Sequence, residues 1–164
     1  MRRKLIFLIS FVLTLSLVSV TNAAEGLLGE YHHGTSGDPW RELILERIDP
    51  TVDFNWGSAS PDPSVNPDGF TVRWTGMITV PASATYTFYT MTDDGIRLWV
   101  NGEQIIDNWT DHGDTEDSGN ITLAAGRQYE IILRVCKELE LLLYAKIRDK
   151  KFYLPSYRPF YIEE

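Results

Sequence analysis

Residues 92–109 read TDDGIRLWVNGEQIIDNW and carry the strongest fold signal in the chain. Two adjacent carboxylates, Asp93 and Asp94, precede an alternating apolar pattern that is typical of a half-buried strand. Asn101-Gly102 follows, and this pair favours a type I′ turn because both of its residues must adopt positive φ. A second apolar pattern comes after the turn. The sequence therefore predicts a tight hairpin with an acidic pair at its open end.

Strand signals continue on both sides of this hairpin. β-Branched and aromatic residues alternate with polar ones over 70–80 and 85–91. Residues 40–48 fit either a helical turn or a strand. Shorter strand patterns occupy 26–31, 52–56, 121–123, 128–135 and 139–147. Nine or ten short strands at hairpin spacing, with no βαβ alternation, predict an all-β antiparallel sandwich or barrel-like architecture.

Three segments between these strands are predicted to be loops. Residues 32–39 and 57–68 are rich in turn-forming residues, and residues 110–120 are acidic without an apolar anchor. His32 and His33 stand at the start of the first loop. Because neighbours in an extended chain point to opposite faces, these two histidines are not expected to share one metal ion.

The first residues have the pattern of a secretory signal peptide. A basic start is followed by an apolar stretch over 5–20 and by small residues around 22–24. A retained membrane anchor is the alternative, although the apolar stretch is shorter than the usual span. We expect a signal peptide over 1–23, one domain over 24–164 and no membrane insertion after cleavage. This length suffices for one domain with a sizeable core.

The charge balance is acidic. The whole chain carries a net charge of −8, and residues 1–23 contain three basic residues and no acidic one, so the expected mature chain is still more acidic. An acidic surface argues against nucleic acid or an anionic membrane as the partner. Cys136 is the single cysteine, so an internal disulfide is excluded.

Several of these segments together are similar to one known family. The chain resembles the PA14 domain, a secreted β-sandwich module, over nearly all of its expected mature length. The matching pieces, in the family's order, are GLLGEY at 26–31, RIDPTVDFNW at 47–56, FTVRWTGMITVP at 70–81, YTFYTMTDDGIRLWVNGEQIIDNW at 86–109, ITLAAGRQYEIIL at 121–133 and KKFYLPSYRPFY at 150–161.

This resemblance implies a binding function. PA14 domains occur in adhesins, toxins and glycosidases, and many bind carbohydrate. In sugar-binding members, two adjacent aspartates joined by a cis peptide hold a calcium ion that ligates sugar hydroxyls, and Asp93 and Asp94 occupy that position. Calcium requires six to eight oxygen ligands. Further oxygens are expected from the acidic loop, with Asp111, Asp114, Glu116 and Asp117 as the candidates.

One departure from the family supports an alternative. Sugar-binding members have a longer loop, with an asparagine ligand, between the strands placed here at 128–135 and 139–147. Only residues 136–138 separate these strands, which suggests a plain hairpin turn. Asp93 and Asp94 would then cap a turn. The chain would be a structural or protein-interaction module, with a surface protein as its partner instead of a glycan.

The tryptophans divide into two predicted groups. Trp74 and Trp99 lie in alternating strands and are expected to pack in the core. Trp109 closes the hairpin beside the acidic loop, and Trp40 follows Pro39 in a loop. These latter two are the candidates for contact with a sugar ring.

The sequence does not indicate an enzyme. Glycoside hydrolysis needs two carboxyl groups facing each other across roughly 5–10 Å of substrate, which adjacent residues in a turn do not provide. No local signature of a nucleophile with its base is present, and no histidine lies near Cys136 in sequence. The prediction is a non-catalytic binding module, secreted or at the cell surface, that takes carbohydrate with the help of Ca²⁺.

Overall fold

The computed structural model describes residues 26–138 and the strand 143–148. Within these residues all ten regular elements are β-strands. Their bounds are β1 Leu27–His33, β2 Glu42–Asp49, β3 Asp53–Gly57, β4 Phe70–Thr79, β5 Ala84–Thr92, β6 Ile96–Val100, β7 Glu103–Asn108, β8 Thr115–Leu123, β9 Gln128–Lys137 and β10 Leu143–Arg148.

The strands form two antiparallel sheets. The six-stranded sheet has the order β2-β1-β4-β9-β6-β7, and the four-stranded sheet has the order β3-β10-β5-β8. The chain crosses between sheets at several connections, including the one from β5 to β6. The predicted antiparallel β-sandwich is confirmed.

The core lies between the sheets because strand alternation sends every second side chain inward. Trp74 on β4, Phe88 on β5 and Leu98 on β6 are fully buried, as is Tyr31 on β1. One end of this core is aromatic: Phe54 stacks on Trp74 with 5.9 Å between ring centres. The core therefore consists of large side chains contributed by both sheets.

A buried carboxylate ties this aromatic end together. Asp49, at the end of β2, accepts hydrogen bonds from the Tyr31 hydroxyl at 2.5 Å and from the Trp74 indole N–H at 2.7 Å. The Arg47 guanidinium donates to its other oxygen at 2.6 Å. The charge of Asp49 is thus paired and fully hydrogen-bonded, the condition under which proteins tolerate a buried carboxylate.

The predicted hairpin forms as expected. Strands β6 and β7 pair antiparallel, and Val100 lies opposite Glu103. The turn residues Asn101 and Gly102 have φ values of 52° and 77°. Both are positive, as a type I′ turn requires.

The structure corrects two of the predicted loops. His32 and His33 belong to β1, where they pair with β4, and the predicted loop over 110–120 contains residues 115–120 of β8. Residues 115–120 pair with β5 although they are polar, because one face of this edge strand is open to solvent. Residues 40–48, which fitted a helical turn or a strand, contribute most of β2.

The predicted hairpin turn at 136–138 is wrong. Cys136 and Lys137 are the last residues of β9, and Lys137 pairs with Phe70 of β4. Strand β10 belongs to the other sheet. The segment therefore leads from one sheet to the other and does not connect neighbouring strands. The Lys137 side chain is buried, and its ammonium donates to the Gly57 carbonyl at 2.6 Å and lies 3.4 Å from Asp68.

Trp99 is also placed differently from its prediction. Trp74 is buried in the core as expected, but Trp99 is only half-buried. Its neighbours Leu98 and Val100 point inward, so strand alternation turns Trp99 to the outer face of the six-stranded sheet.

Some sequence predictions lie outside the described residues. These are the signal peptide over 1–23, the beginning of the strand predicted over 139–147 and the closing segment over 150–161. In the part of the chain that is described, no helix is long and apolar enough to span a membrane.

Candidate functional site

Asp93 and Asp94 lie in the connection between the two sheets. Strand β5 ends at Thr92 in one sheet, and β6 begins at Ile96 in the other. The Asp93–Asp94 peptide bond is cis, as the resemblance implies. Both residues are buried, with 6% and 4% of their surface exposed. The acidic pair is therefore part of the folded interior at one end of the sandwich.

Three chain segments meet at Asp94. One carboxylate oxygen accepts a hydrogen bond from the Glu138 backbone N–H at 2.9 Å, just after β9. The other accepts from the His112 backbone N–H at 3.3 Å, in the connection between β7 and β8. Next to the pair, the Gly95 carbonyl accepts from the Cys136 N–H at 3.0 Å. These backbone contacts fix the orientation of the Asp94 carboxylate.

Burial makes the negative charge of this pair costly. It raises the pKa of Asp94 to about 6, with further contributions from a hydrogen bond to Asp111 and from the charges of Asp111 and Asp93. The Glu138 N–H acts in the opposite direction. Burial and the nearby Asp114 also raise the pKa of Asp93. The site thus concentrates negative charge in a poorly solvated place, and a cation would relieve it.

The donor chemistry of this pair fits a hard cation such as calcium. Asp93 and Asp94 offer carboxylate oxygens, the ligand type that Ca²⁺ prefers. Their pKa values are raised although the charge of Lys137 acts in the opposite direction at Asp93, so this lysine does not offset the cost of burial. In residues 26–138 no group of three or more histidine, cysteine or acidic side chains is arranged to hold a metal. The two aspartates would hold the ion, and its other oxygens would come from backbone, water or ligand.

The acidic-loop candidates divide between two places. Asp111 and Asp114 act on the acidic pair, since Asp111 raises the pKa of Asp94 and Asp114 raises the pKa of Asp93. Asp117 lies on β8 and accepts a hydrogen bond from the Asn108 side chain at 3.1 Å. The exposed Glu116 lies beside it on β8.

The two candidate tryptophans are also separated. The Trp109 indole donates to the Ser36 carbonyl at 3.0 Å, and the Ser36 N–H donates to the Glu138 side chain, so Trp109 is linked to the segment that contacts Asp94. Trp40 instead packs beside His32, with 5.2 Å between ring centres. Trp109 therefore borders the acidic site, and Trp40 lies over the outer face of the six-stranded sheet.

Sequence reasoning missed several residues that build the site. Glu138 and His112 contribute only backbone groups to Asp94, and Ser36, 102 residues before Glu138, donates its N–H to the Glu138 side chain. Backbone donors leave no residue-type signal. Their positions follow only from the end of β9, from the connection between β7 and β8 and from the loop after β1.

The raised pKa of Asp94 predicts a loss of stability with rising pH in calcium-free protein. In the unfolded chain an aspartate titrates near ~3.9, whereas in the folded protein Asp94 titrates at about 6. Between these values the folded state binds more protons, so the free energy of unfolding falls as pH rises and levels off above pH ~7. The loss is at most ~3 kcal/mol, since one pKa unit corresponds to ~1.4 kcal/mol.

Urea unfolding of wild type and Asp94→Asn in EDTA, at pH values from 4 to 7, measures this effect. Other carboxyl groups titrate in both proteins, so the difference between the two curves reports Asp94 together with its interaction with Asp93 and Asp111. We expect Asp94→Asn to gain stability relative to wild type as pH rises through this window. Parallel curves would contradict the raised pKa.

A family model for the PA14 domain matches residues 23–139. The anti-sigma-I factor RsgI3 of Acetivibrio thermocellus is 40% identical over 136 residues, which cover 80% of this chain and 21% of that protein. The chain thus spans about a fifth of the length of this relative.

Two solved structures are similar as well. An anti-sigma factor domain-containing protein matches with a TM-score of 0.72 and 39% identity, over 84% of this chain and 45% of that one. A PA14 sugar-binding domain from an RTX adhesin matches with a TM-score of 0.61 and 18% identity, over 84% of this chain and 94% of that one. The second shares the fold. The match of the family model over most of the chain, in the described β-sandwich, shows that this chain belongs to the PA14 domain family.

Proposed function

We propose that this protein is a non-catalytic carbohydrate-binding module whose ligand is held through a calcium ion at Asp93 and Asp94. The observation that carries the proposal is the burial of both carboxylates together with their raised pKa values. A buried acidic pair is costly unless its charge is fully compensated, and the nearby Lys137 does not prevent the pKa of Asp93 from rising. The shared fold with a PA14 sugar-binding domain adds support.

Each residue has a defined part in this proposal. Asp93 and Asp94 supply the charge and the first oxygens, and the Glu138 and His112 N–H groups hold the Asp94 carboxylate in one orientation. When bound, calcium supplies open coordination positions for sugar hydroxyls. Trp109 lies at the border of the site, where an indole ring offers an apolar surface to a sugar ring.

Binding without catalysis agrees with the chemistry of the other polar groups. Adjacent carboxylates do not face each other across a substrate, as glycoside hydrolysis requires. The only cysteine, Cys136, is buried, and burial raises the pKa of its thiol to about 12, so little nucleophilic thiolate forms at neutral pH. We therefore propose a secreted or cell-surface binding role, to which the signal-peptide pattern at residues 1–23 also points.

Calcium titration by calorimetry, after EDTA treatment and dialysis, tests the proposal. We expect saturable binding at one site and a calcium-dependent rise in the melting temperature, because an ion that binds only the folded state stabilises it. A glycan array with and without calcium then tests the sugar. The absence of both a heat of binding and a thermal shift at millimolar calcium would rule out the calcium mechanism.

A second candidate function has an observation of its own. The relatives with 39–40% identity are named as an anti-sigma factor and an anti-sigma factor domain-containing protein, and the chain covers less than half of either. A protein-interaction module within a larger regulatory protein is the corresponding function. It predicts no calcium-dependent glycan binding, and a specific protein partner that remains bound when Asp94 is replaced.

A further inference from the structure

Charged residues form a continuous row across the outer face of the six-stranded sheet. Strand register places Glu30 of β1 opposite Arg73 of β4, and Arg73 opposite Arg134 of β9. Arg134 in turn lies opposite Arg97 of β6, which lies opposite Asp107 of β7. Three arginines therefore stand side by side on neighbouring strands, about 5 Å apart in the direction across the sheet.

The outer two arginines of this row are paired. Arg73 donates two hydrogen bonds to the Glu30 carboxylate, at 2.6 and 2.7 Å. Arg97 donates to Asp107 at 2.7 Å. Arg134, between them, makes no ion pair with a described residue, and its Nε is buried without an acceptor there. Glu46 of β2, opposite Glu30, completes the row, which therefore holds as many carboxylates as arginines. Arg134 is the arginine of this row that has no carboxylate partner among the described residues.

Two indole rings enclose this unpaired arginine. The guanidinium carbon of Arg134 lies 5.4 Å from the centre of the Trp40 ring and 4.8 Å from that of Trp99. Both tryptophans and Arg134 are half-buried, so the group is held in place and still reaches solvent. Burial, with Arg73 and Arg97 nearby, lowers the pKa of Arg134, which means that its charge is poorly compensated. An anion would supply the missing charge.

We propose that Arg134, between Trp40 and Trp99, binds an anionic group carried by a saccharide, either a carboxylate or a sulfate. The planar guanidinium donates pairs of N–H groups that match the paired oxygens of such a group, and the flanking indoles offer apolar surface to the sugar ring. Because Arg73 and Arg97 are already paired, the site takes a single charged group. It is a second binding place, apart from the acidic pair.

The saccharide part of this inference rests on the proposed carbohydrate function, whereas the anion site rests on Arg134 itself. Arg97 of the row lies three residues beyond Asp94 along the chain, a span of about 10 Å in extended conformation. Binding at Arg134 requires no calcium. Measurements in EDTA therefore examine the arginine site alone.

The test compares three oligosaccharides of equal length by calorimetry on the full chain in EDTA at low salt. One is built of uronic acids, one is sulfated and one is neutral. We expect the wild type to bind at least one of the two acidic sugars and not the neutral one. Arg134→Gln should weaken that binding tenfold or more, the loss expected for hydrogen bonds to a charged group.

Two further variants make the result specific. Arg127→Gln removes the same charge from an exposed turn and should bind as the wild type does. Arg134→Lys keeps the charge but removes the fork, so it should bind weakly. Arg134→Lys also serves as the test if Arg134→Gln fails to fold. A melting temperature within a few degrees of wild type shows that a variant is folded.

Several results would overturn the inference. They are the absence of binding of both acidic sugars to wild type, unchanged binding in Arg134→Gln, or an equal loss in Arg127→Gln. Arg134-dependent binding of an acidic peptide, without binding of either acidic sugar, would assign the site to a protein partner instead. All of these results can be interpreted in the same way whether or not Asp94 binds calcium.

Discussion

Replacing Asp94 with alanine is expected to reduce calcium affinity by more than about a hundredfold. Loss of an outer-shell partner already costs 10–100-fold in metal affinity, and Asp94 is proposed as a direct ligand. Asp93→Asn should lower affinity in the same direction, because it removes one of the two negative charges of the pair. Calorimetric titration of each variant measures the effect. Calcium-dependent glycan binding should be lost together with the ion.

The fold should survive these substitutions. Alanine cannot accept the two backbone hydrogen bonds that Asp94 accepts, and losing them costs stability. Part of this cost is offset because the ionised Asp94 itself destabilises the calcium-free protein. Asp94→Asn keeps an amide oxygen as acceptor and serves as the milder variant. Cooperative thermal unfolding in EDTA, which shows that the variants are folded, is expected for both.

Asp117→Asn provides the matched control for charge. Asp117 belongs to the same acidic segment, but its carboxylate bonds to Asn108 on β7, so calcium affinity should remain close to that of the wild type. An equal loss in this control would indicate a general effect of surface charge. If Asp94→Ala unfolded the protein and the wild type bound no calcium, the acidic pair would be structural.

The hairpin shows what local sequence is able to predict. Asn101-Gly102 requires positive φ at two successive residues, and few other residue pairs tolerate this. The alternating segments on either side then determine the faces of β6 and β7. Turn and strands were therefore predictable from residues within a few positions of one another.

The beginning of β8 was not predictable in the same way. Its side chains are polar, and Gly119, which is buried, has no side chain that could signal a buried position. A Cβ placed on Gly119 would lie 2.1 Å from the Ile105 carbonyl oxygen, so this strand is packed closely against β7. Such a contact depends on how the two sheets meet, and no local pattern expresses it.

The candidate site was predictable only in part. Its two carboxylates follow from the DD pair, but the residues that orient them come from the end of β9 and from the connection after β7. The unpaired charge of Arg134 depends on register across five strands. Features of this kind arise from pairing between distant segments, which a single sequence does not reveal.

Trp74→Ala is expected to destabilise the protein by about 3–5 kcal/mol, the usual cost of removing a large aromatic side chain from a core. Trp74 has no exposed surface and lies within 6.5 Å, between ring centres, of Tyr31, Phe54 and Trp56. Its indole N–H also donates to buried Asp49, which would lose a partner. Typical domains are stable by only 5–15 kcal/mol, so much of the fold's stability would be lost.

Trp99→Ala is the matched control, since it removes the same side chain from the outer face of the same sheet. Its half-buried ring contacts Arg134 in a cation–π arrangement, and the expected loss of unfolding free energy is about 1 kcal/mol. Urea unfolding of both variants measures the difference. Trp74→Phe separates the two causes, because it keeps most of the packing and removes the donor to Asp49. Equal losses in Trp74→Ala and Trp99→Ala would show that strand alternation does not divide these two tryptophans between core and surface.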